Sequence, residues 1–313
     1  MPTVYSLESI LVDVAIEVPS LPERGGDVLA TASRTHAGGG FNLVAAVARQ
    51  GVRSVYAAPY GGGRYGDVIR AALATEGVAW TAAPRTGDSG FTVALVEPDG
   101  ERTFVTMAGV EAAVTDDDLA AITPLPGDAV VVSGYDLAYP GSGPVLAGWL
   151  TGLPDGVLVT LDPGPLVAEI PPERLRRVLP RLDILTLNQR EARLLSGAAS
   201  AGADLLAAVR PLVPAALTIV REGADGCVAS GGPLGDRVVA VPAPVVPAVD
   251  TTGAGDAHTG VLLAGLVTGH PVDDVLVDAV HAAAVSVRHV GSATCPTRAE
   301  LDAAYPERHR VRT

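Results

Sequence analysis

Between Val249 and Gly260 the chain reads Val-Asp-Thr-Thr-Gly-Ala-Gly-Asp-Ala-His-Thr-Gly, and an apolar run continues to Leu266. Gly253 and Gly255 bracket an alanine directly before Asp256. Without a Cβ they let the backbone take unusual dihedrals and let a ligand come close. Ala257, Val261, Ala264 and Leu266 recur at helical spacing, which predicts a tight turn feeding a helix. The N–H groups of a first helical turn point outward, and the dipole there favours an anion. A carboxylate in that place repels an anion unless it has a task, and taking a proton from a nucleophile is one that suits it. Glycines for a phosphate and a carboxylate for a hydroxyl amount to phosphoryl-transfer chemistry, with Gly253, Ala254, Gly255 and Asp256 as the reacting set. Taken alone, Gly-Ala-Gly-Asp serves equally as a plain helix start with a first-turn acid.

Other stretches carry groups of the same kind. Gly38-Gly39-Gly40-Phe41-Asn42 precedes an alanine-rich helix, and by itself is a flexible turn. Asp13 lies inside the apolar run Leu11–Val14, where a buried charge needs a partner. Asn188-Gln189-Arg190-Glu191 has the spacing of a capping box at a helix start. Arg221, in Ile219–Cys227 with Gly223 and Gly226, has the chemistry to pair either a phosphate or Glu222.

The elements that must hold these groups follow from pattern. Short apolar runs at Val4–Ser6, Val55–Pro59, Ala129–Ser133, Val157–Leu161, Ile184–Leu187 and Leu217–Arg221 read as buried parallel strands. Helical stretches alternate with them, at Leu43–Gln50, Asp67–Glu76, Pro144–Leu150, Glu173–Leu179, Gln189–Leu195 and Asp204–Leu212. Gly255–Thr268, Val272–His289 and Arg298–Tyr305 follow as helices. This alternation predicts an α/β fold, a doubly wound and mostly parallel sheet with helices on both faces. Cys227–Ser230 and Val238–Val241 read as a small antiparallel pair. Leu11–Val18, Val28–Thr35 and a hairpin of Phe91–Glu97 and Glu101–Met107 around Pro98-Asp99-Gly100 fall outside the βα rhythm. They predict a small β-sheet lid, from about 11–36 and 91–107, on a single domain spanning 1–313. Such a sheet has a second face and edges to manage, and a homodimer through the lid is expected, with Val28, Phe91, Val93 and Phe104 as its apolar surface.

Bulk properties narrow the function. A formal net charge of −13 argues against nucleic acid and against an anionic membrane surface as partners. All 22 basic residues are arginine, so no Walker-type phosphate lysine and no Schiff-base lysine is available. The two cysteines, Cys227 and Cys295, lie far apart, and the histidines show no paired ligand spacing, which speaks against a disulfide framework or structural zinc. No signal-like start and no long apolar stretch occurs, and a cytoplasmic location is expected.

Asp-Thr-Thr-Gly-Ala-Gly-Asp-Ala resembles the C-terminal signature of the ribokinase-like (PfkB) family of carbohydrate kinases. Two more motifs stand in that family's order and spacing, and the resemblance runs from Asp13 to about Ala293. It implies an ATP-dependent kinase that transfers the γ-phosphate to a hydroxyl of a sugar. It implies that Asp256 is the base in a catalytic turn of Gly253, Ala254 and Gly255, with the amides of Ala254, Gly255 and Asp256 stabilising charge on the transferring phosphoryl group. Asp13, Gly38, Gly39, Gly40 and Asn42 are implied to hold the sugar, with Ala37 standing where the family pattern begins in glycine. Asn188 and Glu191 are implied to organise Mg²⁺ through water. Asn188, Arg221, Gly223, Gly226 and His281 are implied to border ATP, although the family more often has Thr or Lys at the place of Arg221. Asp250, Thr252, Gly291 and Ser292 fall where many relatives hold a monovalent cation such as K⁺. A ribose-like or other neutral monosaccharide is the first expectation for the acceptor. A nucleoside stacked on Phe41 or Tyr135 is the alternative, followed by a phosphosugar met by Arg34 and Arg102. A sugar-sensing protein without turnover is the remaining alternative on the same fold.

Overall fold

The computed structural model describes residues 1–308; the last five residues of the expected domain lie outside the described residues. The strands are β1 (Thr3–Ser6), β2 (Ile10–Glu17), β3 (Ala32–Gly39), β4 (Arg53–Tyr56), β5 (Ala79–Trp80), β6 (Phe91–Val96) and β7 (Arg102–Met107). They continue with β8 (Ala129–Ser133), β9 (Leu158–Asp162), β10 (Ile184–Asn188), β11 (Leu217–Arg221), β12 (Cys227–Ser230) and β13 (Val239–Val241). The large sheet has the order β13-β12-β11-β10-β9-β8-β1-β4-β5. From β11 to β5 every neighbouring pair is parallel, while β12 and β13 add an antiparallel edge.

Burial explains the parallel strands. Val130, Val131 and Val132 of β8 are all inaccessible, as are Val159 and Leu161 of β9 and Ile219 and Val220 of β11. Strands covered on both faces read as continuous apolar runs. The chain leaves β1 toward β4 and β5, then returns to build β8 on the other side of β1. That reversal opens a crevice beyond the carboxyl ends of β1 and β8, where open α/β sheets place their ligands.

A separate sheet of order β3-β2-β6-β7 forms the lid. Its β6–β7 hairpin matches the expected one to within a residue at each strand. Strand β3 does not match: it spans Ala32–Gly39 rather than Val28–Thr35. Its register with β2, from Ile10↔Gly39 to Glu17↔Ala32, carries the ladder through two of the glycines that look like a turn in the sequence. The helix Gly40–Arg49 starts immediately afterwards.

The helix Ala254–Val267 packs against Gly40–Arg49 and Val272–Ser286. All of its residues from Ala257 to Gly265 are buried, not one stripe alone. This is the pattern of a helix enclosed by neighbours. Both cysteines are free and buried. Among the described residues no helix is long and apolar enough to cross a membrane.

Candidate active site

The parallel strands deliver their carboxyl-terminal residues to one place. Glu8 follows β1, Ser133 ends β8, Asp162 ends β9, Asn188 ends β10 and Arg221 ends β11. With Asp13 and Gly39 from the lid, they line a cavity of about 370 Å³ whose wall is completed by Gly253, Gly255 and Asp256. A second cavity of about 450 Å³ shares Asn188, Arg221 and Gly255 with the first. It continues past Gly223 and Gly226 to an apolar wall that includes Val246, Ala283 and Val287. The first turn of the helix Ala254–Val267 therefore stands where a polar chamber meets an apolar slot.

Gly253 caps that helix with φ 73°, a left-handed conformation that glycine adopts without strain. The N–H groups of Gly255 and Asp256 have no backbone partner among the described residues, whereas that of Ala254 turns back toward Thr251 O at 3.3 Å. These unpaired donors face the junction of the cavities and make an anion site.

Asp256 is held by Asn42, whose Nδ2 donates to Oδ2 at 3.1 Å. The amide oxygen of Asn42 accepts from Ala293 N at 2.8 Å. Asn42 thus spends both ends on the protein and is buried. It does not line the polar cavity, where the sequence places it, and it holds Asp256 instead. Burial lifts the Asp256 carboxyl to about 6 against the pull of the Asn42 hydrogen bond, with Asp162 adding to the rise. A carboxyl in that range switches to its basic form just below neutrality.

Asn188 and Glu191 form the expected capping box: Asn188 Oδ1 accepts from Glu191 N at 2.9 Å and Glu191 Oε2 accepts from Asn188 N at 2.8 Å. Arg221 bridges the acids around it, with Nη1 at 2.8 Å from Asp162 and Nη2 at 3.5 Å from Glu191. It is not the partner of Glu222, which instead accepts hydrogen bonds from Gln189 and Gly202. Burial opposes the charge on Arg221, but Asp162 and Glu191 outweigh it and hold the guanidinium protonated. Glu191 is pushed up by burial and by Asp162. Among the described residues no cluster of His, Cys, Asp or Glu could hold a metal ion directly. The donors beside Asn188 are hard oxygens already engaged by an amide and a guanidinium, a set that fits Mg²⁺ only through its water shell.

The remaining expected residues divide. Gly39 and Gly40 line the polar cavity and Gly38 does not; a Cβ on Gly38 would lie 1.9 Å from an Asp13 carboxylate oxygen. Gly223 and Gly226 line the apolar slot, and Gly226 is fixed by packing, since a Cβ there would meet Val241 O at 2.0 Å. His281 does not border it. Its Nδ1 lies 2.8 Å from Val277 O and its ring packs edge-on against Tyr305, so the helix turns Val280 and Ala283 toward the slot in its place. Asp250 accepts from Thr252 N and Gly291 N and pairs with Arg102, so a guanidinium stands against the carboxylate expected to hold a monovalent cation. Ser292 lies in the same loop as Gly291. Phe41 is buried in the core, while Tyr135 lines the polar cavity.

Glu8, Asp162 and Asp136 have no counterpart among the expected residues. Asp136 is fully buried and satisfied by Ser9 and Ser133, and burial lifts it to about 6. The one trace of Glu8 in the sequence is an acid set between two apolar strands, in Ser6-Leu7-Glu8-Ser9-Ile10.

Residues 1–299 match the model of the pfkB family of carbohydrate kinases. An uncharacterized sugar kinase of Escherichia coli (strain K12), YegV, is 34% identical over 302 residues, covering 96% of this chain and 92% of its own. A ribokinase of Haemophilus influenzae is 28% identical over 312 residues, covering 95% of this chain and 96% of its own. The structure of Arabidopsis thaliana ribokinase complexed with ribose and ATP superposes with a TM-score of 0.80 at 24% identity, over 96% of this chain and 97% of that one.

Proposed function

The chain belongs to the pfkB family of carbohydrate kinases and is a phosphotransferase acting on a sugar hydroxyl; we propose that its donor is ATP and its acceptor a neutral, ribose-like monosaccharide. The observation that carries this reading is the position of Asp256. It stands between a polar chamber of sugar size and an apolar slot suited to a nucleobase, beside unpaired N–H groups at a helix start. ATP and ribose occupy the Arabidopsis ribokinase that shares the fold.

In this reading the acceptor lies in the polar cavity with a hydroxyl toward Asp256. Asp256 takes the hydroxyl proton as the oxygen forms its bond to the γ-phosphorus. The bond from that phosphorus to the β–γ bridging oxygen breaks, and ADP leaves with the electron pair. The N–H groups of Gly255 and Asp256 receive the charge that gathers on the transferring group. Asn42 keeps the carboxylate aimed. Asn188 and Glu191 would hold Mg²⁺ through water, and the bound ion would neutralise phosphate charge. Leu11, Asp13, Thr92 and Thr106 line the chamber from the lid side, and closing of the lid over the acceptor would exclude water that otherwise hydrolyses ATP.

A coupled ADP-release screen across neutral sugars, nucleosides and phosphosugars tests the proposal. A neutral sugar is expected to give the highest kcat/KM. Release of ADP with a nucleoside alone would move the enzyme to that acceptor class, and no acceptor-dependent release from any class would defeat the kinase reading.

A further inference from the structure

Glu8 is 5% exposed, yet its carboxylate accepts no hydrogen bond from any described residue. It lines the polar cavity beside Asp13, Asp256, Thr92 and Thr106. The contrast with Asp136 is direct. Asp136 is fully buried, and both of its oxygens are bonded by Ser9 and Ser133. A buried polar group without a partner loses free energy unless something else satisfies it. For Glu8, the cavity is the one direction left.

Backbone packing holds this position at the cavity wall. A Cβ on Gly40 would lie 2.7 Å from Glu8 O and 2.8 Å from Glu8 Cβ, so glycine there lets the helix Gly40–Arg49 start directly against the segment that carries Glu8.

The charge around the chamber is one-sided. Glu8, Asp13, Asp162, Glu191 and Asp256 line it, and Arg221, already bridging Asp162 and Glu191, is its only lining cation among the described residues. The arginines that would have met a phosphosugar are engaged elsewhere, Arg34 with Glu17 and Arg102 with Asp250.

We propose that Glu8 is an acceptor-binding residue whose carboxyl hydrogen-bonds a sugar oxygen, in a chamber that the carboxylates of Asp13, Asp162 and Asp256 restrict to uncharged acceptors, shutting out sugar phosphates and sugar acids. This rests on the kinase reading above. Burial first, and then Asp256, Asp162 and Asp136, push the Glu8 carboxyl well above the usual range, and Arg221 only partly opposes them. This favours the protonated form, which offers both a donor and an acceptor, a match for a sugar hydroxyl or ring oxygen. Glutamine has the same pair of functions and nearly the same shape.

The test compares wild type, Glu8→Gln and Glu8→Ala. Its probes are neutral aldoses and ketoses, their terminal phosphates and the corresponding aldonic acids. Glu8→Ala is expected to raise the acceptor KM about tenfold, the loss of roughly one hydrogen bond to a buried partner. The KM for ATP stays within about twofold, and Glu8→Gln stays near wild type in both. Wild type uses the phosphates and acids at least about 100-fold less well than the neutral parents, as unpaired like charge in a closed site demands. Thermal unfolding reports whether each variant folds, and the specificity of wild type stands as a measurement that needs no variant. An acceptor KM unchanged in Glu8→Ala overturns the proposal, as does efficient use of a phosphosugar. If no probe is phosphorylated the kinase reading falls, and sugar-induced thermal stabilisation then decides about Glu8. Stabilisation of wild type that is lost in Glu8→Ala supports the role, and stabilisation equal in both, or absent from both, removes it.

Discussion

Arg102, on lid strand β7, reaches Asp250 in the loop that feeds the helix carrying Asp256. Its Nη2 lies 2.9 Å from Asp250 Oδ1, and its Nη1 donates to Thr252 Oγ1. The lid is thereby tied to the anion-binding turn by a largely enclosed ion pair. Burial works against ionisation of Asp250, but hydrogen bonds from Thr252, Gly291 and Arg102 outweigh it and hold its pKa below the ordinary value. With a guanidinium already on this carboxylate, wild type is expected to turn over equally in K⁺ and in a bulky organic cation at matched ionic strength. Arg102→Met removes the charge and the tie together. It should lower kcat/KM by roughly tenfold, about 1.4 kcal/mol, and make the remaining rate respond to K⁺. Cation dependence in wild type would show that Arg102 does not fill that place.

Asp256→Asn should lower kcat by about 10²–10⁴-fold, the usual worth of a positioned general base. Asparagine is nearly isosteric and removes a negative charge beside the phosphates, so ATP binding measured by titration should hold or tighten. The wild-type acceptor kcat/KM should rise with pH and level off above about 6, because Asp256 acts only once it has lost the proton that burial helps it keep. A variant with full turnover would return Asp256 to the role of a plain first-turn acid.

His258 is buried in the same helix, and neither ring nitrogen has a hydrogen-bond partner among the described residues. Burial, with Arg221 adding to it, lowers its pKa to about 3. Below about pH 6.5 the unfolded chain takes up a proton there that the folded chain refuses until about pH 3, so this group makes stability fall as pH drops through that window. Asp136 and Asp256, both lifted to about 6, act in the opposite sense: their contribution is present at low pH and is lost as pH rises to that value. The difference between wild type and His258→Phe isolates the histidine. Phenylalanine removes the two unsatisfied nitrogens and should raise stability by about 1–3 kcal/mol, seen as a Tm higher by at least a few degrees near neutral pH and by more toward pH 4. An unchanged Tm would mean that the imidazole is satisfied in solution.

The lid should also join two chains. Strand pairing places Val14, Val93 and Val105 in a row, with Ile16 and Leu95 beside them and Met107 opposite Phe91. This face looks away from the cavity, since Asp13, Thr92 and Thr106 on the alternate positions look into it. Phe91 packs against Tyr65, but Val105 and Met107 are 66% and 62% exposed on an edge strand. Light scattering at micromolar concentration should report a dimer, and Val105→Asp should shift it to monomer. A monomeric wild type well above that concentration would end this expectation.

What the sequence reveals depends on the range of the interaction. The turn at Gly253–Asp256 and the capping box at Asn188–Glu191 are local, and their residue types announce them. The alternation of buried strands with helices was legible for the same reason, because it is written in consecutive residues. Asn42 and Asp256 lie 214 positions apart, and nothing in either stretch says that one side chain holds the other. Arg221 shows the same limit: its adjacent acid, Glu222, is not its partner, and Asp162, 59 positions away, is. Glu8 was hidden by its surroundings, since an acid between apolar strands has no pattern of its own. The misplaced start of β3 has a simpler cause. Glycines usually interrupt strands, but here Gly38 is needed in the ladder because any side chain there would strike Asp13.

The strand order of the large sheet has a consequence for biosynthesis. Beyond β1 the strands run β8, β9, β10, β11, β12, β13, which is also the order in which a ribosome releases them. Each emerging strand finds the edge laid down just before it, so this wing can grow as the chain lengthens, without waiting for distant sequence. The helix carrying Asp256 comes after all of them. A nascent chain can therefore complete its sheet and its lid while still lacking the carboxylate and the helix start on which phosphoryl transfer depends, and turnover would switch on only once the helix Ala254–Val267 has emerged and docked.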